Sequence, residues 1–193
     1  ISFIGISLVQ TNNRRTDEKM KPSNWFLFVG LLWLPWILGG SYLLLYSIQV
    51  KGIVANIVDW WFIQNFAMVY LTFVALGIIT NFLYFFSNRD IGYYSAMIAF
   101  WVLLLFGSLG GVSPGAPVPA WLPALSTVSS VFYFVGVLVA ISWIWSLQKN
   151  LVVKSDDDRH ALFLFRLSLT AFTVVSLIKF VFAFPSLGRI AEF

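Results

Sequence analysis

The chain has 193 residues, of which 60% are hydrophobic, 19% are aromatic and only 10% are charged. Soluble domains contain about 25% charged residues, so this composition excludes an ordinary soluble protein and predicts an integral membrane protein. The net charge of +4 does not indicate nucleic-acid binding, because the basic residues lie in short segments between apolar runs, where lipid headgroups attract them. Cysteine is absent and histidine occurs once, which excludes disulfides, thiolate catalysis and iron–sulfur clusters.

Five apolar stretches follow one another along the chain, and each is predicted to be a transmembrane helix, since about 20 residues of helix cross a bilayer core about 30 Å thick. The predicted spans are residues 24–50, 61–86, 95–110, 122–147 and 161–184. They predict an all-α, polytopic fold with a single transmembrane domain over residues 1–193. The apolar residues 1–10 contain neither a basic region nor a signal-peptide cleavage site, so we expect the natural start further upstream.

Basic residues between the spans predict the orientation in the membrane. If the five helices alternate in direction, one side of the membrane receives Arg14, Arg15, Lys19, Lys21, Arg89, Lys149, Lys154 and Arg159. The other side receives Lys51 and Arg189. Cytoplasmic loops are enriched in Lys and Arg, so the N-terminus is predicted to be cytoplasmic and the C-terminus to lie outside.

An acidic run, Asp156-Asp157-Asp158, precedes Arg159 and His160 in the fourth loop. Three carboxylates could gather a divalent cation, which prefers several oxygen ligands. Consecutive residues of a short loop point in different directions, however, and aspartates also stabilise the N-terminal end of a helix. We favour a solvated helix start, with His160 facing solvent on the cytoplasmic side.

The fifth span contains two basic residues, Arg166 and Lys179. A charged residue within a membrane span costs about 3 kcal/mol on insertion scales and is therefore a functional candidate. Each lies about five residues from one end of the span, from where a long side chain reaches the interface. We favour this snorkelling, or pairing with a partner subunit. The alternative is a proton or ion path, in which Asp59 is the nearby acid that could pair with Lys179.

Polar uncharged residues within or near the spans are expected to form hydrogen bonds between helices. They are Gln64, Asn65, Asn81, Ser126, Ser129 and Ser130.

The segment Trp60-Trp61-Phe62-Ile63-Gln64-Asn65 resembles the start of the sixth helix in the C-type, cbb-like catalytic subunit of heme-copper oxidases and nitric oxide reductases. In that family, two tryptophans precede a copper-ligating histidine and an asparagine, so Gln64 stands at the histidine position. Pro119-Ala120-Trp121 resembles the loop after the seventh helix, but Leu109-Gly110-Gly111-Val112-Ser113 falls where two adjacent histidines would be. The resemblance implies that the five spans correspond to helices five to nine, and the predicted orientation agrees.

The resemblance, with these ligand positions changed, implies a subunit of an oxidase-like complex that is not itself an enzyme. We expect no heme, copper or other cofactor on this chain. Other membrane subunits of a respiratory or electron-transfer complex, together with lipids, are the expected partners, in a bacterial or archaeal cytoplasmic membrane. One alternative is a fragment of a full-length oxidase or reductase subunit, whose heme-ligating tenth helix lies beyond these residues. Another is a five-span transporter or channel component, which would contain an internal repeat that we do not find.

Overall fold

The computed structural model describes residues 21–87, 92–112, 116–148 and 156–184, together with Ser7 and Gln10, and gives only the backbone of residues 85–87, 156–158 and 161. All secondary-structure elements of residues 21–184 that it describes are helices. They are α1 (Pro22–Tyr42, continued by a π-helical turn at Leu43–Ser47), α2 (Ile53–Asn65, a π-helical turn at Phe66–Leu71, and Thr72–Ser87), α3 (Tyr93–Leu109), α4 (Trp121–Gln148) and α5 (Asp156–Phe182).

Four of these helices are long and apolar enough to cross a membrane. Their membrane-spanning parts are Pro22–Ser47, Ile53–Tyr84, Trp121–Gln148 and Leu162–Phe182. The 17-residue α3 is shorter, but at about 1.5 Å per residue it extends about 25 Å and packs along α4. The predicted all-α, polytopic membrane fold is confirmed.

All five helices begin before their predicted spans, and two of them begin five or more residues earlier. Helix α2 begins at Ile53 rather than at residue 61, directly after Gly52 in the left-handed region with φ of +64°. Helix α5 begins at Asp156 rather than at residue 161, because aspartates favour a helix N-terminus. Apolar runs mark the part of a helix that lies in lipid and not the polar turns that extend it, so Asp59 belongs to a helix and not to a loop.

Neighbouring helices run antiparallel and approach closely at glycines. Leu27 near the start of α1 packs on Gly77 in the second half of α2, where an added Cβ would lie 2.5 Å from the Leu27 Cγ. A Cβ at Gly136 of α4 would lie 2.8 Å from a methyl carbon of Val102 in α3. Without a hydrophobic driving force between helices in lipid, such close backbone contacts are a main source of association.

Four buried rings form the centre of the packing between α1, α2, α3 and α4, and we call them the aromatic cluster: Phe26, Phe73, Phe100 and Trp143. The ring centroid of Phe26 lies 5.1 Å from Phe73, 5.4 Å from Phe100 and 5.8 Å from Trp143. These separations are those of favourable aromatic pairs. The cluster therefore joins the first four helices through contacts between their rings.

Helix α5 packs mainly on α4. The rings of Phe134 and Phe180 stack with centroids 5.0 Å apart, and Thr127 Oγ1 donates a hydrogen bond of 2.9 Å to the carbonyl oxygen of Ala183. Between α5 and the middle of α2 lies a largely apolar cavity of about 350 Å³. The fifth helix thus contacts chiefly one neighbour, whereas each of the first four packs on at least two.

Candidate functional site

All five helices contribute to a group of polar contacts within the bundle. Its side chains, which we call the polar cluster, are Trp33 of α1, Gln64, Asn65 and Thr72 of α2, Tyr133 of α4 and Lys179 of α5. Helix α3 adds backbone carbonyl oxygens near its C-terminal end. Three residues that the sequence marks as candidates belong to this cluster: Gln64, Asn65 and Lys179.

Gln64 joins three helices through the two ends of its amide. Its side chain is buried, with 7% of its surface exposed. Lys179 Nζ donates a hydrogen bond of 2.5 Å to Gln64 Oε1, and Gln64 Nε2 donates one of 3.1 Å to the carbonyl oxygen of Gly107. The amide therefore links α2 to α5 on one side and to α3 on the other.

Asn65 forms a second junction and is completely buried. Its Nδ2 donates to the carbonyl oxygen of Trp61 at 2.9 Å and to that of Ser108 at 3.2 Å. Its Oδ1 accepts a hydrogen bond of 3.0 Å from the indole Nε1 of Trp33. The Asn65 side chain thus uses both of its N–H groups and its oxygen to connect α1, α2 and α3.

The π-helical turn at Phe66–Leu71 follows Asn65 directly and supplies further acceptors. Thr72 Oγ1 donates to the carbonyl oxygen of Ala67 at 3.2 Å, and Tyr133 Oη donates to that of Met68 at 3.2 Å. The two hydroxyl groups are themselves 3.1 Å apart. A wider helical turn leaves carbonyl groups available for such side chains. Single π-helical turns are frequent at functional sites.

Two glycines after α3 leave room for Gln64. A Cβ at Gly110 would lie 3.0 Å from Gln64 Nε2, and a Cβ at Gly111 would lie 2.6 Å from Gln64 Cβ. Gly111 also has a φ of +107°, which other residues rarely adopt. Ser126 of α4 fixes this turn, because its Oγ accepts hydrogen bonds from the backbone N–H groups of Gly111 and Val112 at 3.0 and 3.1 Å.

These residues do not fit a copper ion of the kind that the histidines of the resembled family bind. An imidazole at Gly110 or Gly111 would collide with the Gln64 side chain. The Lys179 ammonium lies at the Gln64 oxygen and would repel a metal cation there. An amide is also a weaker copper ligand than the imidazole it replaces. Within residues 21–184, the described part contains no group of three acidic or histidine side chains that could hold a metal.

The remaining candidates lie apart from the polar cluster. Arg166 is exposed, and its Nε donates a hydrogen bond of 3.3 Å to Gln148 Oε1 on α4. Asp59 is exposed and forms no ion pair with Lys179, whose ammonium instead meets Gln64. The exposed His160 lies in the first turns of α5, whereas the side chains of Asp156, Asp157 and Asp158 lie outside the described residues.

Sequence reasoning did not identify three members of the cluster: Trp33, Thr72 and Tyr133. Tryptophan and tyrosine in an apolar run are usually read as interfacial or packing residues, and threonine is common in any membrane helix. The one available signal was that a buried indole N–H or phenol group requires a hydrogen-bond partner. This requirement does not identify the partner residue.

Comparison with known proteins gives no independent indication of function. No protein-family model matches this sequence, and no curated protein matches it.

Proposed function

We propose that this chain is a non-catalytic integral membrane subunit, similar to part of a heme-copper-oxidase catalytic subunit, with a structural or assembly role in a larger respiratory or electron-transfer membrane complex. The observation that carries the proposal concerns Gln64. It stands where the resemblance expects a copper-ligating histidine, yet both ends of its amide bind neighbouring helices, through Lys179 and the Gly107 carbonyl.

The chemistry of the polar cluster supports a structural role. Gln64 and Asn65 are buried, and the oxygen and amino groups of both side chains are occupied by partners within the bundle. Polar side chains that hydrogen-bond between membrane helices generally stabilise the helix arrangement. A reaction centre requires a group that a substrate can reach, and the amides of this cluster do not provide one.

The exposed surface is compatible with contacts to other subunits. Large side chains face outward on several helices, for example Trp36 at 65%, Ile63 at 63% and Trp121 at 63% exposure. Lipid covers such residues in part. If the five helices correspond to helices five to nine of a larger bundle, their outer faces also meet protein. We therefore expect protein contacts along at least two spans, including α2, with a total buried area above the roughly 1,200 Å² of specific interfaces.

Purification from native membranes after gentle crosslinking tests this proposal. A tagged chain is expected to be recovered with other membrane subunits, among them heme-containing ones. No iron or copper is expected within bonding distance of its own side chains. The variant Asn65→Ala should reduce the recovered complex, whereas Asn81→Ala, which changes an exposed asparagine of the same helix, should not.

Two results would refute the proposal. The first is a stable, monodisperse monomer with no partner recovered by crosslinking, which would favour a free-standing transporter. The second is a heme iron or copper ion bonded to a side chain of this chain, which would favour a catalytic oxidase or reductase subunit.

A further inference from the structure

The cavity between α2 and α5, which we call the α2–α5 groove, exists because α5 packs mainly on α4 and leaves a gap to α2. Its volume is about 350 Å³. Protein interiors rarely contain voids much larger than a water molecule, so a groove of this size requires an occupant. Apolar side chains of both helices form most of its lining: Leu71, Leu76, Ile79, Leu169, Phe172 and Val175.

The α2–α5 groove opens at the surface of the bundle, at membrane depth. It lies between two membrane-spanning segments, Ile53–Tyr84 and Leu162–Phe182. Leu71 and Val175 line it and are nevertheless 48% and 57% exposed, so the rim of the groove is open. The bilayer core contains no water that could fill it. Lipid acyl chains are the apolar groups that can enter from the side.

The end of the groove nearest the C-terminus of α5 is polar. Lys179 lies three residues after Ser176, a lining residue, and therefore on the same face of α5. Its Nζ donates a hydrogen bond to Gln64, which lies four residues before Met68, a lining residue of α2. Tyr133, whose ring centroid is 5.8 Å from Lys179 Nζ, donates to the Met68 carbonyl oxygen. The ammonium group thus lies at this end of the groove.

The charge of Lys179 favours an anionic group at this end. Its hydrogen bond goes to a neutral amide oxygen, and an ammonium has two further N–H donors. Lys179 is only partly buried, so a group at the rim of the groove can reach it. A phosphate group has the negative charge and the acceptor oxygens that an ammonium binds.

The length of the groove matches one leaflet of a bilayer. From Ser168, a lining residue, to Lys179, α5 rises about 17 Å at about 1.5 Å per residue. One leaflet occupies half of a hydrocarbon core about 30 Å thick. We propose that the α2–α5 groove holds one acyl chain of an anionic phospholipid, whose phosphate group binds Lys179. The proposal uses no position of the oxidase family, so it is independent of the proposed function.

A transmembrane helix of another chain does not fit within the groove. A helix about 10 Å wide and about 17 Å long fills roughly 1,300 Å³, which is several times the cavity volume of about 350 Å³. A helix could therefore only lie over the groove, whereas a single acyl chain can lie within it.

Photolabelling of the full chain in phosphatidylcholine vesicles tests the site. The vesicles contain a small fraction of phosphatidylglycerol with a diazirine in one acyl chain, and labelled residues are identified by peptide mass spectrometry. Labelling of Leu71 and Val175 should be saturable, and unlabelled phosphatidylglycerol should compete with it. Labelling of Ile78, which is exposed on the same helix as Leu71 but does not line the groove, should not be saturable.

Two alanine-to-tryptophan variants test whether the groove holds the chain. Ala75 is an exposed lining residue of α2, so Ala75→Trp fills the groove without disturbing the core. It should reduce the labelling of Val175 on the opposite helix at least about fivefold. Ala171→Trp is the matched control, because Ala171 is exposed on α5 and does not line the groove. This variant should be labelled as the unchanged protein is.

A second pair of variants tests the headgroup contact. Lys179→Met should raise the concentration of unlabelled phosphatidylglycerol that halves the labelling by about fivefold. Lys51→Met, which removes an exposed lysine outside the groove, should not change it. If Lys179→Met does not fold, a phosphatidylcholine probe with the same diazirine decides, and it should label the groove more weakly than the phosphatidylglycerol probe.

Three results would overturn the proposal. The first is labelling that is not saturable in the groove, or is absent there because a second copy of the chain covers it. The second is unchanged labelling of Val175 in Ala75→Trp. The third is equal labelling by the two probes, which would remove the preference for an anionic headgroup.

Discussion

The aromatic cluster and the polar cluster hold overlapping sets of helices together by different physical means. The four rings of the aromatic cluster come from α1 to α4 and make contacts that depend on shape. The polar cluster includes α5 as well, through the bond between Lys179 and Gln64. Packing is thus expected to determine most of the stability, whereas directional hydrogen bonds determine where α5 sits relative to α2 and α3.

The largest loss of unfolding free energy is expected from a substitution in the aromatic cluster. Trp143→Ala removes a side chain that is 1% exposed and stacked on Phe26, and it should lower the free energy of unfolding by about 3–5 kcal/mol. Reversible unfolding in mixed micelles measures this change. Trp145→Ala serves as the control, because Trp145 is 53% exposed on the same helix. Equal losses for the two variants would contradict the assigned role of packing.

A smaller loss of unfolding free energy is expected from a substitution in the turn after α3, which contacts Gln64 of the polar cluster. Gly111→Ala places a Cβ 2.6 Å from Gln64 Cβ on a backbone with a φ of +107°. It should cost about 1–3 kcal/mol of unfolding free energy. Gly39→Ala is the control, since a Cβ there has no neighbour within 4 Å and alanine favours a helix over glycine. A stable Gly111→Ala protein would show that Gln64 is not held closely.

The interaction energy between Lys179 and Gln64 is expected to be smaller than either of these losses. A double-mutant cycle of Lys179→Met and Gln64→Leu, measured in one fixed salt, should give an interaction energy of about 0.6 to 1.7 kcal/mol, the range for hydrogen bonds between membrane helices. A second cycle pairs Lys179→Met with Asn81→Ala and should give a value near zero. Zero coupling in the first cycle would mean that α5 is positioned by its packing on α4.

Single cysteines at exposed positions test the orientation of the chain in the membrane, and thereby which cluster lies nearer the outer face. They are expected to change stability least. The chain has no cysteine of its own, so Lys51→Cys and Arg159→Cys each introduce one reactive thiol at an exposed position. Because the loop charges predict a cytoplasmic N-terminus, a membrane-impermeant maleimide added outside should label residue 51 and not residue 159. Reversed labelling would place the polar cluster towards the cytoplasm and remove the orientation argument for the oxidase resemblance.

The helices were predictable from the sequence because the signal for a membrane helix is local. Each apolar run identifies one helix without reference to its neighbours. Helix ends were less predictable, as the early start of α2 at Ile53 shows, because polar turns outside the lipid carry no hydropathy signal. Gln64, Asn65 and Lys179 were recognisable as candidates, since polar residues are rare in membrane spans.

The partners of those candidates could not be read from the chain. Lys179 and Gln64 are separated by 115 positions, and Asp59, the acid named in the alternative of a proton or ion path, is exposed. Ser129 looked like its neighbours Ser126 and Ser130, yet it alone of the three has an Oγ without a partner in the described residues. Such differences depend on which face of a helix meets which neighbour, and an apolar helix in lipid carries little periodicity that would reveal its faces.

The sequence by itself determined that this is a membrane protein made of helices, which of its residues are polar where lipid is expected, and that histidine is missing from the spans. Those properties depend on composition and on runs of about 20 residues. The tertiary structure alone decided that Gln64 is bound on both sides, that Lys179 meets an amide, and that the buried Ser129 hydroxyl has no partner among the described residues. The reason is that hydrogen bonds between helices are set by the rotation and depth of each helix, and these follow from packing at glycines and rings far along the chain.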